Sequence, residues 1–143
     1  MLKVYTSADP SAALSYDGEF GNPLAITFDG VNGGTIERKL YLRNDNITKQ
    51  YQNITIQPYD NPGVEQQITN GSNGYIWLLS AGDQRPLVEQ WDLITPASVI
   101  NLDDISDTTT YLPFWLRITV PAGVPATSFR SASLAITCDE ESI

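Results

Sequence analysis

An all-β fold, built as a two-sheet antiparallel sandwich, is what this chain predicts from three features. Short apolar/polar alternations recur along its length, clusters of Gly, Pro and Asn separate them, and no segment sustains a capped helical period. Close spacing of about seven to nine such runs favours a sandwich or barrel over alternating strand–helix units.

Taken in order, Leu2–Thr6 alternates briefly and suits a first, edge strand. Residues 7–23 (SADPSAALSYDGEFGNP) have the small and turn-forming composition of a long connection or an arm lying on a surface. Leu24, Ile26 and Phe28 share one face of the next run, and the Asp29–Gly34 cluster turns the chain. The most legible stretch is Gly33–Pro58. Ile36, Leu40 and Leu42 oppose Glu37, Lys39 and Arg43, a polar break follows at Asn44–Asn46, and alternation resumes with Ile54 and Ile56 on one face. That pattern predicts two antiparallel, half-buried strands.

After the turn formers of 59–74, Tyr75–Ser80 reads as a strand, Ala81–Pro86 as a tight turn and Leu87–Ile94 as a further extended run. The acidic loop 103–110 then leads into Tyr111–Val120 (YLPFWLRITV). Here Leu112, Phe114, Leu116, Ile118 and Val120 fall on one face, and Tyr111, Pro113, Trp115, Arg117 and Thr119 on the other. Ala132–Cys138 is the last strand, with Leu134, Ile136 and Cys138 aligned, before a charged tail at 139–143. The expected topology is immunoglobulin-like, without the Cys…Trp…Cys framework of antibody domains. The division is an N-terminal edge strand and extended arm over 1–23 and one sandwich domain over 24–143.

At 143 residues the chain is long enough to bury a core without staples. It has one cysteine, Cys138, read as a small buried hydrophobe, so no intrachain disulfide can form. It has no histidine, which excludes a Ser/His/Asp triad, a Cys/His nucleophile pair and an ordinary zinc site. An enzyme would have to work with carboxylates, Lys, Tyr or a hard cation, and the expectation is a non-enzymatic protein with no cofactor and no metal. The net charge of −9, with eight scattered Lys and Arg, argues against nucleic acid and anionic membrane as partners. The first residues show no apolar core of signal-peptide length, and no run has the length of a membrane span, so synthesis in a cytosol is expected.

Candidate chemistry is sparse. Asp103, Asp104 and Asp107 could offer oxygen ligands to Ca²⁺, but they lack calcium-loop spacing and read as a solvated turn. The sequons at Asn46, Asn53 and Asn70 are matches that an Asn-rich β protein generates by chance. The aromatics carry more. Tyr111, Trp115 and Arg117 share the polar face of one strand, and Trp77 and Trp91 lie in other runs. This is the composition of interface anchors and equally of a sugar-stacking platform, set against packing in the core. Tyr111, Trp115, Arg117 and Trp77 are the interface candidates.

Two stretches carry a resemblance. GGTIERKLYLRNDN with YQNITIQP resembles the second and third strands of immunoglobulin-like accessory modules. YLPFWLRITVPAGVPA with ASLAI is similar to the closing strands of small β-sandwich proteins in tailed-bacteriophage virions. Together they span about two-fifths of the chain. The resemblance implies a virion structural protein that binds and stabilises a capsid as a decoration (cement) protein. It would be assembled in the host cytoplasm, contact the major capsid protein or another virion protein, and act as a homo-oligomer or in many copies per particle. The alternative is a tail or neck accessory, or a carbohydrate-binding adhesion module displayed on a virion.

Overall fold

The computed structural model describes residues 1–14, 28–60, 69–71, 74–123 and 132–143. Seven strands among them form two antiparallel sheets: β1 (Leu2–Tyr5), β2 (Gly34–Asn44), β3 (Lys49–Asp60), β4 (Ile76–Ala81), β5 (Ile100–Leu102), β6 (Leu112–Val120) and β7 (Ala132–Ser142). Sheet A runs β1-β2-β6-β4 and sheet B runs β5-β3-β7. The all-β, two-sheet expectation therefore holds. With β5 set aside as an added edge, sheet A has the order first, second, fifth, fourth, and the third strand pairs with the sixth. That is the immunoglobulin-like interlock, with no strand among the described residues in the place that would flank β7.

The legible pair 33–58 becomes β2 and β3, but these strands do not pair with each other. Each enters a different sheet, and the polar break between them is the crossing. Asn44, fully buried, organises that crossing: its amide donates to the carbonyls of Asn46 and Lys49 and its oxygen accepts from the Asn46 N–H. The core lies between the sheets. β2 contributes Leu40 and Leu42, β3 contributes Ile54 and Ile56, and β6 contributes Phe114, Leu116, Ile118 and Val120, all buried. The face assignment read from the 111–120 alternation is thus the observed one. In β3 the register slips between Gln52 and Thr55, where Asn53 takes φ 51°. That bulge lets Tyr51 and Ile54 face the core together, which strict alternation forbids.

Three local readings change. Leu87–Ile94 is not extended: Val88–Asp92 forms a short helix, α1, whose only buried residue is Trp91. A helix of little more than one turn is too short to display a 3.6-residue period. The Gln90 side chain accepts from the Leu87 N–H at 2.8 Å and closes that turn. The charged tail is also not free, since β7 continues to Ser142 and pairs Asp139 to Ser142 with Gln52 to Lys49. The start of the arm folds back along β1, with the Leu14 N–H donating to the Val4 carbonyl at 2.8 Å and a short 3-10 turn at Pro10–Ala12. The rest of the arm and the strand expected from Leu24 fall outside the described residues, except Phe28. No helix among the described residues is long and apolar enough to cross a membrane.

Phe114 sits at the centre of this core with 0 % exposure. Phe114→Ala should lower the unfolding free energy by about 3–5 kcal/mol in urea titration. Ile47→Ala, at a residue 77 % exposed, should change it by less than about 0.5 kcal/mol.

Candidate interaction face

The side of sheet A that faces away from sheet B is built by two alternating strands in fixed register. β2 presents Glu37, Lys39 and Tyr41 opposite Arg117, Trp115 and Pro113 of β6. β1 adds Tyr5 beside Tyr41 and Lys3 beside Arg43, and β4 adds Leu78 beside Arg117 and Ser80 beside Trp115. Lys3, Lys39, Arg43 and Arg117, with Arg85 at the margin, place five of the eight Lys and Arg of an acidic chain on or beside this one face.

Helix α1 covers one end. Trp91, 1 % exposed, lies over Arg117 with the guanidinium carbon 5.9 Å from the ring centre. Its indole N–H donates to one Glu37 carboxylate oxygen, while Arg85 donates to the other. The Arg85 hydrogen bond is the main cause holding the Glu37 carboxyl below its ordinary range. Burial opposes it, and Trp91 and the charge of Arg117 assist it. Arg117 Nε is buried and has no hydrogen-bond partner among the described residues. The guanidinium is instead compensated by the Glu37 charge and the indole face, a partial return for a donor that costs about 1–3 kcal/mol when left unpaired.

The other end is left open by the described residues. Tyr41, Tyr111, Pro113 and Trp115 are half-buried there, and each ring is held. Tyr111 stands edge-on to Tyr5 (centroids 5.7 Å apart, planes at 80°) and to Tyr41 (6.3 Å, 85°). The Arg43 guanidinium lies 5.6 Å and 5.3 Å from the Tyr5 and Tyr111 ring centres, and Nε donates to the Thr108 carbonyl at 2.7 Å. Lys39 Nζ is 5.5 Å from the Tyr41 ring centre and is paired with Asp83, which raises its pKa. The Trp115 N–H donates to the Asp83 carbonyl at 3.2 Å. Beside it, a depression of about 350 Å³ between the 81–86 turn and α1 is lined by Ser80, Asp83, Gln84 and Gln90. These contacts fix aromatic surfaces before any ligand arrives, and pre-ordering of this kind reduces the entropy lost on binding.

Of the four sequence candidates, Tyr111 and Trp115 come together on the open face. Arg117 shares that face but lies beneath Trp91. Trp77 points to the other side of β4 and packs against the core. Lys39, Tyr41 and Arg43 complete the face, and the signal for them was available: both strands place aromatic or cationic residues at their odd positions. What was missing was the pairing of β2 with β6 across more than 70 residues of chain. The acidic loop is structural. Asp107 accepts from the N–H groups of Thr109 and Thr110, and Asp104 lies against the Asn53 N–H. Among the described residues no group of Cys, Asp and Glu could hold a metal. Asn46 and Asn53 spend their side chains on Thr48 and Asp139.

Because the folded-state pKa of Glu37 is depressed, its contribution to stability is complete above the ordinary Glu value and is lost as pH falls through the depressed one. Glu37→Gln should cost about 1–3 kcal/mol at neutral pH, a range that discounts the exposed Arg85 contact for solvent screening. It should also flatten the fall in stability below about pH 4.5 and alter Trp91 emission, all read by fluorescence-monitored unfolding across pH. No protein-family model, no curated protein and no solved structure matches this chain.

Proposed function

We propose that this protein is a non-enzymatic adhesive module of a bacteriophage particle, which binds and stabilises the capsid through the open end of the outer face of sheet A. The observation that carries the binding role is the set of immobilised, half-exposed rings of Tyr41, Tyr111 and Trp115 interleaved with Lys39 and Arg43. Aromatic and cationic anchors held in place are the composition of interface hot spots. The setting rests on the resemblance of the PFWLR strand to the closing strands of virion sandwich proteins, beside that of the NITI strand to immunoglobulin-like accessory modules. Binding energy comes from burial of the rings, and the local cations favour an acidic or carbonyl-rich patch on the capsid protein.

A second reading has an observation of its own. Trp115 combines a fixed, half-exposed indole with a neighbouring polar depression lined by Ser80, Asp83, Gln84 and Gln90, which suits a sugar ring stacked on the indole and hydrogen-bonded at its hydroxyls. On that reading the module is displayed on a virion for adhesion to a host glycan.

The wild-type chain should co-sediment saturably with shells of its virus. Trp115→Ala and Tyr41→Ala should each weaken that binding about tenfold or more without loss of the cooperative unfolding transition. Failure of the wild-type chain to bind any shell would sink the capsid role. Saturable quenching of tryptophan fluorescence by oligosaccharides, abolished by Trp115→Ala, would establish the glycan reading instead.

A further inference from the structure

The four sheet edges of this sandwich are not treated alike. β1 is flanked by residues 12–14, bridged at Tyr5 and Ala13 and bonded from Leu14 N–H to Val4 carbonyl. β4 is closed on both sides of Trp77: its N–H donates to the Thr69 carbonyl, and its carbonyl accepts from the Ala97 N–H. β5 is only three residues long. β7 is eleven residues long and pairs with β3 on one side, and no strand among the described residues takes its other side. This is the side on which an immunoglobulin-like sheet carries one more strand.

Over most of its length β7 lacks the devices that usually blunt an edge. Residues 133–138 (SLAITC) contain no charge and no proline. The sandwich is also under-covered here. Leu134, Ile136 and Cys138 are only half-buried against the core, whereas Ile54 and Ile56 of the neighbouring β3 are 0 % exposed. The charges of the strand are confined to one end, at Asp139, Glu140 and Glu141.

That one-ended pattern selects an occupant. We infer that this edge of β7, which no described strand takes, pairs with β7 of a second copy of this chain, antiparallel about a two-fold axis at Ile136, joining two three-stranded sheets into one of six. Even-numbered positions of both copies then share the inner face, so that Leu134 lies opposite Cys138 of the partner and the two Ile136 residues meet. Asp139 falls opposite Ser133. A parallel pairing would instead stack Asp139, Glu140 and Glu141 on their own counterparts. An antiparallel axis one residue further along would bring Glu140 opposite Leu134. With the axis at Ile136, no acidic residue lies directly opposite another, and none lies directly opposite Leu134, Ile136 or Cys138. The outer faces of sheet A stay clear of this contact, so the dimer is bivalent for whatever that face binds and does not depend on which partner it is.

Sedimentation velocity of the full chain under reducing conditions, over a concentration series, tests this. The wild-type chain should show a monomer–dimer equilibrium. Ser133 is exposed in the monomer, so substitutions there leave the fold intact. Ser133→Asp faces Asp139 of the partner and should raise the dimer Kd. Ser133→Lys should lower it, leaving the two variants about tenfold or more apart. Trp115→Ala should leave the dimer unchanged. A chain that stays monomeric throughout, equal Kd values for the two Ser133 variants, or a dimer lost with Trp115→Ala would each overturn the inference.

Discussion

The pairing of β2 with β6 is the contact on which the rest of the structure depends. Nine successive residues, Gly34 to Leu42, lie in register with Val120 to Leu112. Because side chains alternate across a strand, one ladder serves two ends at once. Its inner side delivers Leu40, Phe114 and Leu116 to the core, and its outer side sets Glu37 against Arg117 and Lys39 against Trp115. A slip of one residue would exchange the two sets and place charges between the sheets. The register is therefore held by the cost of burying Glu37, Lys39, Arg43 and Arg117, as well as by the gain from burying the apolar residues.

The outer side of that ladder is divided by a single indole. Trp91 brings α1 down over Arg117 and Glu37 and converts that end into a small third layer, in which two opposite charges are shielded from water. Beyond the helix, the rings of Tyr41, Tyr111 and Trp115 remain partly in solvent, each oriented by an edge contact, a cation or a backbone carbonyl. The rings of this face are thus held in place without being fully covered by the described residues, which is what the proposed binding role requires.

Much of this was legible residue by residue. The alternation in YLPFWLRITV predicted which side chains of β6 enter the core, because a two-residue period leaves no other way to bury Leu112, Phe114, Leu116, Ile118 and Val120 together. The 33–58 stretch likewise declared two strands. Its limits were equally physical. Asn53 inverts the phase of β3 through a bulge that costs one residue and leaves no mark on composition. Trp91 sits in a helix shorter than the window in which a helical period becomes visible. Arg117 looked like an interface anchor by residue type, yet its accessibility depended on a helix some 26 positions earlier in the chain.

By itself, then, the sequence determined the class of fold, the apolar face of each main strand, and the absence of any histidine-based chemistry, because these follow from local period and from composition. Which strands neighbour one another was decided only by tertiary structure. So were the assembly of Tyr5, Tyr41, Arg43 and Tyr111 into one cluster, the covering of Arg117 and the position of β7 at the edge of the described strands of sheet B. Each of these depends on contacts between segments tens of residues apart, and no local pattern along the chain encodes the partner of a strand.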